Sequence, residues 1–345
     1  MARARLAAGL AVVAASLAAG WLLLDLRAFL DRPLRVPPEG LVHEVAPGTS
    51  LAALAEGLAR RGVLEHPRYL VWYARWRGLA HRIRAGEYRI RPGTTPPALL
   101  EMLVAGRVRL HRLTVVEGWT FAELRAALAR HPAIVHTLAG ADDAAVMARI
   151  GRPGEHPEGR FLPDTYRFPK GTTDVAFLRR AYEAMAAFLA RAWAGRDPTV
   201  PLRTPYEALV LASIVEKETA LPEERPLIAG VFLRRLARGM RLQADPTVIY
   251  GMGAAFDGNL RRRDLRRDTP YNTYTRRGLP PTPICLPGRA AIEAVLHPAA
   301  GDALYFVAKG DGSHHFSATL EEHRRAVARF QLRRGVRRPP SGAAP

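Results

Sequence analysis

The sequence has little cysteine and lacks the motifs that mark nucleotide or metal sites. Cys285 is the single cysteine in 345 residues, so no disulfide can form within the chain and packing must stabilise it. The stretch "GMGAAF" does not make a dinucleotide loop, because Phe256 stands where the third glycine is needed. His314, His315 and His323 lack the spacing of metal ligands, and we expect structural roles for them. We therefore predict neither a metal nor a cofactor.

Acidic residues and lysine are also scarce. The chain has 51 Lys+Arg against 32 Asp+Glu, which gives a formal charge of +19, and arginine supplies most of the positive charge. Such an excess favours anionic surroundings such as nucleic acid, anionic lipid or an acidic polymer. A solvated basic surface without a specific partner explains the charge equally well. No dense Lys/Arg tract with interleaved aromatic residues and no nucleic-acid motif is present, so we predict no nucleic-acid partner.

One long uncharged run, "LAAGLAVVAASLAAGWLLL" at 6–24, stands out near the N-terminus. At ~1.5 Å per residue it is roughly 28 Å long, enough to cross the hydrocarbon core of a membrane. A cleavable signal peptide is the alternative, but its apolar region is usually shorter and ends at small residues, whereas this run ends in "WLLLDLRAFL". We predict a transmembrane anchor. Arg3 and Arg5 leave residues 1–5 in the cytoplasm and the rest of the protein outside it.

The anchor is followed by a proline-rich stretch and a small module. Residues 25–42 contain "DRPLRVPPEG" and are predicted to form an extended spacer. Three phrases, "PGTSLAAL", "PGTTPPAL" and "EGWTFAEL", each combine a glycine turn, a Ser or Thr cap and the start of a helix. They predict an α+β module over 43–114 with helices at 51–61, 67–77 and 96–105. Its first part resembles a LysM-type carbohydrate-binding module, and a purely structural βααβ module is an equally open reading.

The segment 125–200 is mostly helical in pattern and is interrupted by a rigid loop. This loop, "HPEGRFLPDTYRFPKGTT" at 156–173, carries the carboxylates Glu158 and Asp164. Loops of this composition often shape clefts, although an ordered connector with its aromatic rings in the core fits the loop alone better. The basic end of the chain, 332–345, has the composition of a disordered tail.

The stretch "ASIVEKET" sets Glu216 and Glu218 two residues apart in an apolar helix that we predict over about 205–220. At ~100° per residue the two carboxylates point roughly 200° apart. Glu218 continues the bulkier apolar stripe, and a carboxyl against apolar walls has a raised pKa, which suits a general acid near neutral pH. Spacing alone also allows both to be surface glutamates near a helix end.

Several long motifs in one order resemble a known family. They are "EKET", "RLQADPTVIYG", "YNTYTRRGLPP", "PGRAAIEAVLHP" and "YFVAKGDGSHHF", with "PEGRFLPDTY" upstream. Over most of the chain this series is similar to the MltG (YceG-like) endolytic murein transglycosylase family. Ala244 and Thr282 depart from residues that are common in that family, and neither touches the presumed chemistry.

The resemblance implies cleavage of peptidoglycan glycan strands without water by a catalytic domain over 115–331. Glu218 maps onto the family's catalytic glutamate. It would protonate the glycosidic oxygen beyond N-acetylmuramic acid and then take a proton from the C6 hydroxyl, which closes a 1,6-anhydro ring. Because the nucleophile is internal, the second carboxylate of ordinary glycosidases is not needed. We expect five residues in the glycan cleft: Gln243, Asp245, Tyr250, Asn272 and Tyr274. Glu216, Glu158 and Asp164 are candidates for supporting roles.

The resulting expectation is a single-pass, membrane-anchored lytic transglycosylase of α+β class on the extracytoplasmic face of a bacterial cytoplasmic membrane. Its role would be to terminate nascent strands beside peptidoglycan synthases. Two alternatives stay open. A murein hydrolase would need a second carboxylate, for which Asp245, Glu158 and Asp164 are candidates. A non-catalytic peptidoglycan-binding scaffold would tolerate the loss of Glu218.

Overall fold

The fold is a mixed α+β structure, as the sequence predicts. The computed structural model describes residues 2–332, without the side chains of 2–4, 8 and 332, so the predicted tail at 332–345 lies outside the described residues except for the backbone of Leu332. Within these residues the chain divides into two compact units. Unit 1 comprises the chain up to His111 together with Arg167–Gly171. Unit 2 comprises Arg112–Tyr166 together with the chain from Thr172 onward.

Unit 1 contains the predicted strand–helix–helix–strand order. Its elements are α1 (Ala2–Asp31), β1 (Leu41–Val45), α2 (Leu51–Arg60), α3 (Pro67–Trp76), β2 (Gly86–Ile90) and α4 (Pro96–Ala105). Strands β1 and β2 pair antiparallel. The side chain of Ser50 accepts a hydrogen bond from the Ala53 amide at the start of α2, and Thr95 does the same for Ala98 in α4. Thr120, in the third phrase, accepts from the Glu123 amide in the same way, so the hydroxyl caps predicted from the repeated phrases are confirmed.

Helix α1 is longer than the predicted span at 6–24. By length and composition, Arg5–Asp31 could cross a membrane, with a mean hydropathy of 2.1 over its most apolar window. Residues 25–31, which the sequence assigns to the spacer, are helical because Leu26, Phe29 and Leu30 form an apolar face that packs into unit 1. The rest of the predicted spacer is also packed, since the Leu34 amide donates to the Thr94 carbonyl at 2.8 Å. The chain over 25–42 is thus part of a folded unit and not a free linker.

Unit 2 is mainly helical and contains the motifs of the resemblance. Its elements are α5 (Phe121–Arg130), β4 (Ile134–Val135), α6 (Asp143–Arg149), β6 (Thr172–Thr173), α7 (Asp174–Ala194), α8 (Pro205–Glu218), α9 (Arg225–Ala237), α10 (Asp245–Met252), α11 (Arg262–Arg266), α12 (Arg289–Leu296), β7 (Tyr305–Ala308), β8 (His314–Ser317) and α13 (Leu320–Val327). The division between the units passes through β3 (Leu110–Thr114) and β5 (Thr165–Pro169). Strands β7 and β8 pair antiparallel and form a hairpin around "KGDGSHH".

Helix α8 lies at the centre of unit 2. Every residue from Ala208 to Val215 is buried in a core that it shares with α7, α9 and α12. Thr204 caps its first turn, but the Glu207 carboxylate accepts from the Arg203 amide and not from that of Thr204, so the reciprocal capping box is not formed. Burial on all sides leaves the end of α8 as the place where its polar residues reach a cavity or solvent.

The segment before α12 is attached to the middle of α8. The Ser213 hydroxyl accepts from the Ile284 amide at 2.9 Å, and the thiol of buried Cys285 donates to the Ser213 carbonyl at 3.3 Å. Burial raises the pKa of this thiol well above its ordinary value, so Cys285 is an unreactive packing residue. These contacts fix the middle of α8 against the segment before α12.

Candidate active site

Glu216 and Glu218 leave the last turn of α8 in different directions, as helical geometry predicts. The Glu216 carboxylate accepts from the Gly288 amide at 2.9 Å and lies 3.5 Å from the Arg225 guanidinium. Burial raises the pKa of Glu216 against the opposing effects of the Gly288 amide and Arg225. Gly288 precedes α12, so Glu216 fixes the start of that helix. Both of its oxygens have structural partners, which makes Glu216 a positioning residue.

Glu218 has the environment of a general acid. Its carboxyl makes no hydrogen bond or ion pair with any residue that the structure describes, and it lies near Asp245 and Arg235. Burial, with the Asp245 charge adding to it and the Arg235 charge opposing it, raises the pKa of Glu218 to about 8. Near neutral pH most of this carboxyl is therefore protonated and has its proton free for transfer.

Asp245 and Tyr274 form a pair beside Glu218. Asp245 is the first residue of α10, and Tyr274 lies in the loop that follows α11. The Tyr274 hydroxyl donates to Oδ1 of Asp245 at 2.5 Å. Burial and the Asp245 carboxylate raise the pKa of Tyr274, which keeps the phenol a donor. The structure thus brings three predicted site residues together from segments that are far apart in sequence.

Gln243 and Asn272 hold the backbone of this site. Gln243 has a φ of 54°, a left-handed conformation that is uncommon for a residue with a side chain. Its amide donates to the Thr273 carbonyl, and the Ala244 amide donates to the Thr273 hydroxyl at 3.0 Å. Asn272 is buried, its amide nitrogen donates to the carbonyl of Arg267 at 2.7 Å, and its oxygen accepts from the Tyr274 amide at 2.8 Å. Asn272 thus positions Tyr274 and presents no free group to a cleft.

Tyr250 and Glu158 meet inside unit 2. The Tyr250 hydroxyl donates to Oε2 of Glu158 at 3.0 Å, and the Phe121 amide donates to Oε1 at 2.9 Å. Burial, against these hydrogen bonds, raises the pKa of Glu158 to about 7. Glu158 joins the start of α5 to α10 and makes no hydrogen bond or ion pair with Glu218 in the described part of the chain. Asp164 is exposed and lies 3.4 Å from Arg289. Neither carboxylate belongs to the group around Glu218.

Arg235 is a site residue that the sequence interpretation missed. It is 7% exposed, and its guanidinium donates to the carbonyls of Leu304 at 2.6 Å and Leu242 at 2.7 Å. A contact of 3.5 Å joins it to the Gln243 side-chain oxygen. A signal was available, because Arg235 follows Ile228, Val231 and Phe232 at helical spacing on the buried face of α9. A positive charge on that face indicates a functional or structural network.

A second missed network holds the residue after Glu218. The Thr219 hydroxyl donates to Glu224 at 3.2 Å. The Glu224 carboxylate also accepts from the backbone amide of His314 at 2.6 Å and lies 2.7 Å from its Nδ1. Burial of Glu224 is outweighed by His314 and Thr219, so its pKa is lowered and it stays ionised. His314 has the structural role predicted for it, and that role is to fix the end of α8.

Comparison with known proteins identifies the family. The YceG-like family model matches residues 43–329, which is most of the chain. The chain belongs to the YceG-like family. The resemblance stated from the sequence motifs is therefore confirmed, and the matched region contains every site residue described above.

Relatives of this YceG-like chain include proteins named for an activity and a protein of known structure. It is 30% identical over 300 residues to "Endolytic murein transglycosylase" of Bacillus subtilis, with 82% of each chain covered. It is 28% identical to the protein of the same name from Streptococcus pneumoniae D39, covering 81% of this chain and 56% of that longer protein. The crystal structure of a yceG-like protein from Listeria monocytogenes superposes with a TM-score of 0.53 at 28% identity, covering 84% of this chain and all of that one.

The raised pKa of Glu218 predicts how stability depends on pH. The ordinary value is 4.5 and the folded value about 8, so between these pH values the folded chain holds a proton that the unfolded chain releases. Stability then falls as pH rises through this window, and Glu218→Gln, which cannot ionise, removes that part of the loss. We expect the variant and the parent to melt alike at pH 4.5, and the variant to melt on the order of 5 °C higher at pH 8.5. Thermal unfolding of both chains at both pH values measures this. If the melting temperatures of variant and parent differ by the same amount at pH 4.5 and at pH 8.5, the assignment is contradicted.

Proposed function

We propose that this chain is an endolytic peptidoglycan lytic transglycosylase that cleaves the bond between N-acetylmuramic acid and N-acetylglucosamine and leaves 1,6-anhydro ends. The observation that carries the proposal is the Glu218 carboxyl, which has no structural partner in the described residues and a pKa of about 8. Further support comes from relatives named endolytic murein transglycosylase. An unpartnered, protonated carboxyl at the end of a buried helix is the group that this reaction needs.

The chemistry uses Glu218 twice. In the first step its proton goes to the glycosidic oxygen, and the bond from that oxygen to C1 of N-acetylmuramic acid breaks. Positive charge develops at C1, and the Asp245 carboxylate, held by Tyr274, stabilises it electrostatically. In the second step the C6 hydroxyl of the same sugar attacks C1 and gives its proton to the Glu218 carboxylate. The enzyme returns to its starting protonation state, and no water is consumed.

Asp245 also keeps the hydrolytic alternative open. Asp245 is the carboxylate whose charge raises the pKa of Glu218, so in a hydrolase it would activate a water. Its hydrogen bond from Tyr274 favours the electrostatic role, because the bond holds the carboxylate in place and occupies the oxygen Oδ1. Glu158 and Asp164 are less suited to activate the water, since the first is buried against Tyr250 and Phe121 and the second pairs with Arg289.

The mass of the product ends tests the proposed function. Purified peptidoglycan is digested with the full chain, and the new chain ends are analysed by mass spectrometry. An intramolecular attack replaces water, so we expect ends lighter by ~18 Da than the hydrolytic ends made by a muramidase control. Hydrolytic ends would establish the hydrolase. Binding without new ends would establish the scaffold.

The remaining parts of the chain are assigned by the same proposal. Helix α1 is an N-terminal single-pass anchor, with residues 1–5 in the cytoplasm and the catalytic region, 115–331, on the extracytoplasmic side of the bacterial inner membrane. The LysM-like module over 43–114 binds glycan, which the strand–helix–helix–strand order of unit 1 supports. An anchored enzyme reaches strands close to the membrane, so its role is to terminate nascent strands, and its partners are peptidoglycan synthases.

A further inference from the structure

A cavity of about 430 Å³ lies beside the candidate active site in unit 2. It is lined by Arg241, Arg262, Leu265, Arg266, Tyr274 and Thr275. Three of the six lining residues are arginines and none is acidic. We call it the arginine cavity. The reaction proposed above uses none of these arginines.

The arginine cavity has unpaired positive charge. The side chains of Arg241, Arg262 and Arg266 make no hydrogen bond or ion pair among residues 2–332. Neighbouring arginines differ, because Arg261 pairs with Asp257 at 2.6 Å and Arg276 with Asp268 at 2.9 Å. The carboxylates of Asp257 and Asp268 are therefore paired with arginines outside the cavity. The three arginines are exposed, and guanidinium groups on one concave surface without internal partners suit a carboxylate or another oxyanion.

Tyr274 connects the arginine cavity to the reacting groups. It lines the cavity, and its hydroxyl donates to Asp245 beside Glu218. Arg241 is connected as well, since its carbonyl accepts from Arg235 at 3.3 Å. A ligand group in the cavity would thus lie against the residue that donates to Asp245. A substrate that reacts at Glu218 and carries a negative branch would reach the cavity with that branch.

We propose that the arginine cavity binds carboxylate groups of the peptide that N-acetylmuramic acid carries. The inference rests on the proposed function, because it takes peptidoglycan as the substrate. The glycan itself is uncharged where the lactyl group is joined to peptide, so the peptide carboxylates are the anionic groups next to the scissile bond. The arginine cavity then makes the enzyme bind peptide-bearing strands more tightly than strands that lack carboxylates.

The test measures binding, so that it does not depend on catalysis. Two double variants are made in the full-length Glu218→Gln chain: Arg262→Gln with Arg266→Gln, and, as a control, Arg263→Gln with Arg267→Gln. Both double variants remove two positive charges from the segment 262–267, but only Arg262 and Arg266 line the cavity. Affinity is measured by fluorescence anisotropy for labelled soluble glycan strands with their peptides. The stripped strands for comparison are the same strands after an amidase has removed the peptides and the lactyl carboxylates that it exposes have been converted to methylamides.

We expect the cavity variant to bind peptide-bearing strands about tenfold more weakly, since it loses charge-assisted hydrogen bonds to carboxylate. Its affinity for stripped strands and the control variant's affinity for both are expected to match the parent. Equal loss in the two variants indicates general attraction to anions, and equal binding of both strand types by the parent indicates no peptide recognition. Either result would overturn the inference. A failure of the proposed function is seen separately, as the absence of anhydro ends with the unaltered enzyme.

An Arg266→Glu variant provides a second measurement. Reversal of one charge in the cavity is expected to weaken the binding of peptide-bearing strands more than its removal does, because a carboxylate then faces a carboxylate. Circular dichroism and melting temperature verify that each variant is folded. Unchanged affinity in the folded Arg266→Glu chain would also overturn the inference.

Discussion

Glu218→Gln is expected to abolish the formation of 1,6-anhydro ends, with a loss of about 10³-fold or more in rate. Glutamine has nearly the same shape but has no proton to give to the glycosidic oxygen and no carboxylate to take one from the C6 hydroxyl. With the unaltered chain, the rate should also decline as pH rises through about 8, where Glu218 loses the proton that the first step needs. Mass analysis of product ends against time and pH measures both effects.

Glu216→Gln is the matched control for this variant. It makes the same chemical change two residues away, and the amide oxygen of glutamine can still accept from the Gly288 amide. We expect it to keep its activity within about tenfold, because Glu216 acts through the position of α12 and not on the substrate. Retained activity in Glu218→Gln, or equal loss in the two variants, would refute the assignment of Glu218 as the general acid.

Arg235→Met is expected to have the largest effect on stability. The change leaves the carbonyls of Leu304 and Leu242 without their donor in a buried place. Unsatisfied buried acceptors of this kind lower the free energy of unfolding by roughly 3 kcal/mol together, which corresponds to a melting temperature about 10 °C lower. Removing the positive charge near Glu218 also raises its pKa further, so the alkaline limb of the activity profile should move to higher pH.

The control for Arg235→Met is Arg238→Met, one turn further along. Arg238 is exposed at the end of α9, so its replacement removes the same charge and adds the same side chain without opening buried hydrogen bonds. Its melting temperature and pH profile should stay close to those of the parent. If Arg235→Met melts with the control, the carbonyl network around the guanidinium does not stabilise unit 2.

Local signals made helix α8 predictable from the sequence. Thr204 and Pro205 mark its start and Pro222 limits its end, and the structure gives Pro205–Glu218. The opposite directions of Glu216 and Glu218 follow from the helical period alone. The hydroxyl caps of the three repeated phrases could be predicted for the same reason, because each depends on residues within one turn of the chain.

The surroundings of Glu218 were not predictable in this way. The contact between Tyr274 and Asp245 joins residues 29 apart, and that between Tyr250 and Glu158 joins residues 92 apart. Both depend on how helices pack and not on local pattern. Gln243 adopts a left-handed conformation that its residue type does not favour, so no sequence rule marks it. The resemblance named the right segments, and only the structure separates Asn272, which is buried, from Tyr274, which meets Asp245.

Glu216 and Thr219, which lie on either side of Glu218, are fixed by partners far along the chain. The Glu216 carboxylate accepts from the Gly288 amide, 72 residues further along the chain. Thr219 is joined through Glu224 to His314, which lies 90 residues beyond Glu224. Contacts of such separation form late in folding, because a long loop must close first. The end of α8 therefore acquires its final geometry only after the β7–β8 hairpin has docked. A nascent chain that emerges from the N-terminus onward carries Glu218 long before the surroundings of that residue have formed, and we expect activity only when almost the whole of unit 2 has folded.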